Sequence, residues 1–224
     1  MNLANTLAFV VFPYLALTVF VVGHTYRYVK DPFRWNAKSS ELVDKRGLFT
    51  GSTVFHWGIL GTLLGHAGGL LIPQRLFDAV GIDGQAHTAL AYWTGMAVGI
   101  AAVVGLIILI GRRLFLTRVR RTTSVNDWVT ILGLFLVSAL GLYNVFFGHF
   151  YVLDTVAPWI RGIVTFRPDP SLMRAVPIAY KIHALAALAL LGFSPFSRLV
   201  HIWSAPLFYF LRSPILFRRR VAGY

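Results

Sequence analysis

Five long stretches of this 224-residue sequence carry almost no charged side chains. Four of them, residues 1–26, 47–74, 84–111 and 128–153, contain no Asp, Glu, Lys or Arg, and the fifth, residues 175–211, contains only Lys181 and Arg198. A helix needs about 20 apolar residues to cross the roughly 30 Å hydrocarbon core of a bilayer. Each stretch is therefore long enough for one membrane-spanning helix.

The sequence predicts an all-α integral membrane protein, a single transmembrane domain over residues 1–224 built as a five-helix bundle. The expected spans are about residues 3–26, 48–73, 86–111, 127–151 and 178–203, followed by a tail over residues 204–224. Only 13% of the residues are charged, against roughly 25% in soluble domains. No basic residue precedes the first stretch and no small-residue cleavage site follows it, so we expect a retained span rather than a signal peptide.

Basic residues are distributed unevenly between the segments that join these stretches. Sixteen of the 21 Lys and Arg residues lie in residues 27–46, 112–121 and 198–224. Because cytoplasmic segments are enriched in Lys and Arg, we expect the N-terminus outside and the C-terminus in the cytoplasm. The net charge of +13 then reflects topology and contact with membrane lipid, and we expect no nucleic-acid partner.

Four of the seven histidines occupy corresponding positions on two of the predicted spans. His56 and His66 lie ten residues apart on the second span, about 15 Å along the helix axis. His183 and His201 lie 18 residues apart on one face of the fifth span, about 27 Å along the axis. Since the two spans run in opposite directions, the topology pairs His66 with His183 near the outer face and His56 with His201 near the inner face. Opposed tilts and a kink at Pro195 are expected to absorb the difference in spacing.

Each pair is predicted to ligate one haem iron through two neutral imidazoles. The absence of cysteine excludes covalent c-type attachment and iron–sulfur ligation, which leaves haem b. Two bis-histidine haem b groups have no open coordination position, so the predicted chemistry is electron transfer across the membrane. A quinol is the expected donor, and another subunit on the basic inner face is the expected acceptor. A haem-free transporter or assembly protein with a histidine proton relay is the alternative from another class.

Glycines and the remaining histidines complete the set of candidate residues. Gly65 is predicted to leave room for a flat macrocycle, whereas for the other glycines of the second span haem clearance and small-xxx-small helix packing, as in Gly61–Gly65, remain equal alternatives. His24 and His149 have no partner of this kind and are predicted to be structural or interfacial. His87, near the outer start of the third span, is a candidate for a substrate site.

Three segments resemble a known family. Residues 38–66 (KSSELVDKRGLFTGSTVFHWGILGTLLGH), 111–123 (GRRLFLTRVRRTT) and 194–206 (SPFSRLVHIWSAP) are similar to the gamma (cytochrome b) subunit of membrane-bound respiratory nitrate reductase, and the resemblance covers nearly the whole length. It implies the same five-span topology in a bacterial or archaeal cytoplasmic (inner) membrane, with a periplasmic N-terminus. It also implies the same two haem ligand pairs. It also implies that menaquinol or ubiquinol is oxidised near the outer haem, and that electrons pass to a cytoplasmic iron–sulfur (beta) subunit and a molybdopterin catalytic (alpha) subunit.

The resemblance also implies roles for individual residues. His87 stands where a well-known family member carries a quinol-site lysine, and a histidine can hydrogen-bond a quinol oxygen or accept its proton. We therefore assign His87, Gly65 and His66 to the quinol site. Arg112 and Arg198 are candidate partners of the inner-haem propionates, with positive-inside anchoring as an equal alternative. A quinol-oxidising cytochrome b subunit of a related sulfite- or heterodisulfide-reductase-type complex is the alternative function.

Overall fold

Five long apolar helices dominate the computed structural model, which describes residues 3–31, 35 and 43–204. They are α1 (Leu3–Lys30), α2 (Leu48–Leu71), α3 (Gly84–Phe115), α4 (Val125–Phe147) and α5 (Ile178–Phe196), and each is long and apolar enough to cross a membrane. Every regular element of the described residues is helical. The predicted all-α, five-span architecture is confirmed, and the chain is a multi-pass membrane protein. The predicted tail lies outside the described residues after Ser204.

The five helices pack in the order α2–α3–α4–α5–α1. Neighbouring helices run antiparallel except α5 and α1, which run parallel. We call the end of the bundle at which α1, α3 and α5 begin the His66 end, and the opposite end the His56 end. Among the described residues α2 and α5 are not packing neighbours, which leaves a gap between these two helices.

Glycines bring α2 and α3 into the closest contact of the bundle. Gly58 of α2 lies against the backbone of Ala102, and Gly105 of α3 lies against the backbone of Phe55. A Cβ atom at Gly105 would come within 2.6 Å of the Phe55 Cα atom, and a Cβ atom at Gly61 would come within 2.6 Å of a Val98 methyl group. Gly58 and Gly61 therefore serve helix packing, which decides between their two predicted roles.

A short helix, Val156–Val164, covers the His66 end of the bundle beside α1 and α5. Its Trp159 is fully buried and donates its indole N–H to the Phe9 carbonyl of α1 at 2.8 Å. The two rings meet edge to face, with centroids 5.9 Å apart. Arg161 donates to the Leu70 carbonyl of α2 at 3.1 Å. This cap thus joins α1 to α2, which are not neighbours in the packing order.

The fifth span departs from the sequence prediction in one respect. The regular α-helix within α5 ends at Phe193, and the last residues of α5, Ser194–Phe196, form a 3₁₀ turn. His201 lies on a second 3₁₀ turn, Arg198–Ile202, whereas the sequence predicts one continuous span to residue 203. Pro195 has no amide hydrogen with which to continue the helical ladder, and Ser197 is extended, with φ −121° and ψ 179°. The chain therefore changes direction before it reaches His201.

Side chains from α1 and α4 hold this change of direction at the His56 end. Arg27 of α1 donates to the Pro195 carbonyl at 2.6 Å. Arg198 forms an ion pair with Asp127 of α4, with 2.7 Å between nitrogen and oxygen. Asp127 also forms a capping box with Ser124 at the start of α4. The turn after α5 is thus attached to both of its neighbouring helices.

Replacement of Gly105 by alanine tests the α2–α3 contact. Because the added methyl group meets the Phe55 backbone, which cannot rotate away, we expect Gly105→Ala to lower the free energy of unfolding by about 1–3 kcal/mol. Gly111→Ala on the same helix is the control, since its Cβ atom meets only the Phe115 ring at 3.9 Å. Thermal unfolding of the detergent-solubilised protein, followed by circular dichroism, measures both. Equal transition temperatures for the two variants would contradict the packing role.

Candidate functional site

Two pairs of imidazole rings bridge the gap between α2 and the fifth span. The ring centroids of His56 and His201 are 5.9 Å apart, and those of His66 and His183 are 6.0 Å apart. A metal–imidazole bond is about 2 Å long, so two imidazoles on opposite sides of one metal ion have ring centres roughly 6 Å apart. The structure thus brings together the residues of both predicted pairs, at the spacing that a shared metal ion requires.

All four imidazoles make the same hydrogen bond. In each ring Nδ1 lies near a backbone carbonyl oxygen: His56 and Ser52 at 2.7 Å, His66 and Thr62 at 2.8 Å, His183 and Val137 at 3.0 Å, and His201 and Arg198 at 2.6 Å. A carbonyl oxygen only accepts, so Nδ1 carries the hydrogen and Nε2 keeps its lone pair. Metal-ligating histidines have this arrangement, in which the second nitrogen donates to a carbonyl or carboxylate and orients the ring.

The end of the α-helix at Phe193 explains how two histidine pairs with unequal spacing along their helices can both form. On one straight helix His183 and His201 would lie about 27 Å apart, against about 15 Å for His56 and His66. Because the chain turns at Pro195, both rings of the fifth span reach their partners on α2. The prediction of a kink at Pro195 understated this change, since the α-helix ends there rather than bends.

Glycines leave space beside the His66–His183 pair. A Cβ atom at Gly141 of α4 would lie 3.0 Å from Cε1 of His183, so the imidazole rests directly against this glycine. A Cβ atom at Gly65 or Gly68 would meet no atom within 4 Å. Gly65 therefore faces open space beside His66, unlike the packing glycines nearer the His56 end. This geometry fits a flat cofactor at the pair.

His87 lies at the start of α3, close to the glycines that follow His66. The residue is only 4% exposed. Its Nδ1 lies 2.7 Å from Oε1 of Gln74, and its ring packs on Phe77 with centroids 4.2 Å apart. No described residue hydrogen-bonds to Nε2, which lies 3.5 Å from the position of a Cβ atom at Gly69. Nε2 therefore points toward a glycine one helical turn from His66.

His24 differs from these histidines because both of its ring nitrogens already have protein partners. Trp35 donates its indole N–H to Nδ1 at 3.1 Å, and Nε2 lies 3.2 Å from Oγ of Ser194. Since Nδ1 accepts, Nε2 carries the hydrogen and donates to Ser194. His24 has no nitrogen left for a metal ion, in agreement with its predicted structural role. His149 follows α4 with a positive φ of 39°, and its interfacial role stays a prediction.

The two arginines assigned to propionates bind protein groups at the His56 end. Arg112 is 5% exposed, and its guanidinium donates to the Arg46 carbonyl at 3.0 Å and to the Asp44 carbonyl. Arg198 forms the ion pair with Asp127. These contacts fix the loop before α2 and the turn after α5. A propionate role for either arginine stays a prediction.

The loop before α2 also carries an ion pair of its own. Asp44 accepts hydrogen bonds from the Arg46 side chain and backbone amide, with a shortest ion-pair distance of 2.7 Å. These hydrogen bonds lower the pKa of Asp44 to about 2. The carboxylate is therefore ionised at neutral pH, and the charge of Arg46 is locally balanced.

Sequence reasoning missed three residues that the structure places at these sites. Arg113 is 5% exposed, and no described residue accepts a hydrogen bond from its Nε atom. Its position in the sequence could have indicated it, because Arg113 is the second of two basic residues that follow the charge-free stretch 84–111. Gly141 and Gln74 gave no signal, because their importance depends on contacts with residues distant in sequence.

Comparison with known proteins decides the family. Residues 5–220 match the family described as nitrate reductase gamma subunit. The chain belongs to the nitrate reductase gamma subunit family. It is 44% identical to the nitrate reductase gamma chain of Bacillus subtilis over 214 residues, which cover 94% of this chain and 96% of that one. It is 33% identical to the respiratory nitrate reductase 1 gamma chain of Escherichia coli over 225 residues, 98% of this chain and 100% of that one.

A partial match reaches a second kind of protein. Over 109 residues the chain is 33% identical to a component of the dihydromethanophenazine:CoB–CoM heterodisulfide reductase of Methanosarcina thermophila. The match covers 49% of this chain and 36% of that protein. The family resemblance seen in the sequence is therefore confirmed by the longer matches, and the heterodisulfide reductase relative is similar over half the chain.

Replacement of Gly141 by alanine tests the space around His183. The added Cβ atom would lie 3.0 Å from the imidazole, so we expect the ring to shift and the haem bound per chain to fall. Gly133→Ala is the matched control on α4, because its Cβ atom meets only a flexible Leu190 methyl group, at 3.2 Å. Haem extraction from purified protein measures both variants. Full haem content in Gly141→Ala would contradict a tight fit at His183.

Proposed function

We propose that this chain is the dihaem cytochrome b subunit of a nitrate reductase, which oxidises a quinol and passes electrons to cytoplasmic subunits. The observation that carries this proposal is the pair of imidazole couples with centroids 5.9 and 6.0 Å apart. Membership of the nitrate reductase gamma subunit family supports the proposal that the chain acts within a nitrate reductase complex.

In this proposal His56 and His201 hold one haem b, and His66 and His183 hold the other. The haem groups, when bound, supply one-electron redox chemistry. The chain's own contribution is orientation, because each Nδ1–H bond to a carbonyl holds the ring and leaves Nε2 as the nitrogen that would bind the iron. With two histidines bound to each iron, the sites would favour electron transfer over binding of oxygen or nitrate.

The His56 end faces the cytoplasm in this proposal, and the N-terminus faces outward. The basic segments of the described chain, around Arg27, Arg46, Arg112 and Arg198, gather at the His56 end, as the positive-inside rule requires. The iron–sulfur (beta) subunit and the molybdopterin catalytic (alpha) subunit then dock at this end. Lipid surrounds the apolar helix surfaces.

The quinol, menaquinol or ubiquinol, binds beside the other pair at the His66 end. His87, Gly65 and His66 form this site in the proposal. Three observations support it: Nε2 of His87 has no partner among the described residues, it points toward Gly69, and the space at Gly65 is open. A hydroxyl group at Nε2 would lie within about a helical turn of the His66 ligand, and protons released there leave on the outer side.

The arginines at the His56 end provide positive charge for carboxylate groups of the inner cofactor. Arg112 and Arg198 remain candidate propionate partners, although each also binds protein groups. Arg113 joins them as a third candidate, since it is buried and its Nε atom has no acceptor among the described residues. A buried cation is stabilised by anionic partners. Asp127 is one such neighbour of Arg113, and a propionate would be a second.

The second candidate function is electron transfer to a heterodisulfide-reductase-type complex. Its support is the partial match over 49% of the chain, against 94% for the nitrate reductase relative. Neighbouring reading frames discriminate the two, because nitrate reduction requires a molybdopterin subunit beside a ferredoxin-like subunit. A sulfite-reducing complex is tested in the same way.

A haem-free proton relay would show no visible chromophore.

Histidine replacement separates the two proposed haem sites. His66→Ala or His183→Ala is expected to remove one haem per chain together with haem reduction by menadiol, because the quinol loses its electron acceptor. His56→Ala or His201→Ala is expected to remove the other haem and to block nitrate reduction in the complex. Extracted haem, reduced-minus-oxidised spectra and stopped-flow reduction by menadiol measure these losses.

His149→Asn is the control for these variants. Its position has a positive φ, which asparagine tolerates, and full haem content is expected. Two haems per chain in His66→Ala would show that the ligand assignment is wrong. Absence of haem from the wild-type complex would contradict the proposed function as a whole.

A further inference from the structure

We infer that Gln74 and Asp78 are positioning residues that hold His87 in one tautomer, with Nε2 as a hydrogen-bond acceptor for a quinol hydroxyl group. The inference rests on the proposed function, because it assumes that the quinol binds at His87. It adds two residues to that site and determines the direction of the hydrogen bond between protein and quinol.

The Gln74 amide has one orientation that its neighbours allow. Its Nε2 lies 2.9 Å from Oδ1 of Asp78 and 3.0 Å from the carbonyl oxygen of Ile82. An ionised carboxylate and a carbonyl oxygen only accept hydrogen bonds, so both must face the NH₂ group. The opposite orientation would place the amide oxygen against two other oxygens. The hydrogen-bond network therefore assigns Oε1 to the remaining side, where it faces His87.

The orientation of the Gln74 amide determines which nitrogen of the His87 imidazole carries the hydrogen. Oε1 of Gln74 lies 2.7 Å from Nδ1 of His87. Since an amide oxygen only accepts, Nδ1 must carry the hydrogen, and the neutral ring keeps its lone pair on Nε2. This is the nitrogen without a partner among the described residues, beside Gly69. His87 therefore offers an acceptor to a ligand, and a quinol hydroxyl is a donor.

A compact turn builds this network into the segment before α3. Gln74 and Asp78 lie four residues apart on the short helix Gln74–Asp78, so their side chains share one face. Gly81 has a φ of +82°, which a side chain would disfavour. The chain reverses there, and the Ile82 amide donates to the Phe77 carbonyl at 2.9 Å. This reversal brings the Ile82 carbonyl back to Gln74.

The network also suits the transfer of a proton. When a quinol hydroxyl donates to Nε2, its O–H bond breaks and an N–H bond forms, which yields a quinolate anion and an imidazolium. The Nδ1–H bond to Gln74 remains in place, and the Asp78 carboxylate polarises the amide that accepts it. The quinolate is more readily oxidised than the quinol. Gln74 and Asp78 thus act through His87 and do not contact the quinol.

Nitrogen NMR of the reduced wild-type complex, labelled with ¹⁵N-histidine, tests the tautomer directly. The His87 signals are those that disappear in His87→Gln. We expect Nδ1 of His87 to be protonated and Nε2 to be unprotonated. A protonated Nε2 on a neutral His87 in the wild-type complex would overturn the inference without any variant of Gln74.

Kinetics with menadiol as the quinol test the positioning role. Gln74→Leu removes the acceptor of Nδ1–H and frees the tautomer, so we expect the maximal rate of haem reduction to fall roughly tenfold or more, with little change in KM. Gln85→Leu is the matched control, because Gln85 is an exposed glutamine two residues before His87. Asp78→Asn retains an oxygen that accepts from Gln74 and should preserve the wild-type tautomer.

The outcomes separate the inference from the proposed function. Gln74→Leu and Gln85→Leu with equal rates, beside a slow His87→Gln, would overturn the inference while the quinol site stands. Wild-type haem that menadiol does not reduce, or His66→Ala haem that it reduces normally, would overturn the proposed function. The amount of extracted haem shows whether Gln74→Leu is folded. If this variant does not fold, the ¹⁵N-histidine NMR spectrum of the wild-type complex still tests the tautomer of His87.

Discussion

The hydrogen bond from Nδ1 of each paired histidine to a backbone carbonyl is the interaction on which the described sites depend. A polar ring on a membrane-spanning helix cannot rely on water, so each nitrogen must find a partner within the protein or in a ligand. His56, His66, His183 and His201 each satisfy Nδ1 with a carbonyl. The rings of each pair meet across the gap between α2 and the fifth span, with centroids 5.9 and 6.0 Å apart. The proposed function assigns the remaining nitrogen of each ring to a metal ion shared by the pair.

The partners of the two ring nitrogens also distinguish the other histidines from the paired ones. His24 has partners for both nitrogens and serves as a link between Trp35 and the turn at Ser194. His87 has one nitrogen bound to Gln74 and one directed at a glycine of α2. One residue type thus has three roles in this bundle, and the hydrogen-bond partners, rather than depth in the membrane, decide which role each residue has.

Much of the fold and of the paired site was predictable because the sequence signals are strong and local. Charge-free stretches of bilayer length predict the spans, and the opposite directions of α2 and α5 predict which histidines meet. The fifth span was less predictable. Its apolar residues continue past Pro195, and hydropathy does not report that the α-helix ends at Phe193. Gly58 and Gly61 were ambiguous, since a missing side chain looks the same whether it faces a helix or a cavity, whereas open space was predicted at Gly65 and is found there.

The sequence by itself determined the number of spanning helices, the family and the identity of the histidine pairs, because these follow from apolar length, motif and helical direction. Only the tertiary structure decided which glycines pack against α3 and which border open space, that the α-helix ends at Phe193 instead of bending at Pro195, and that Arg113 is buried. It also decided the orientation of the Gln74 amide, which depends on Asp78 and Ile82. The reason is physical: each of these properties is set by contacts that form only when separate segments of the chain meet.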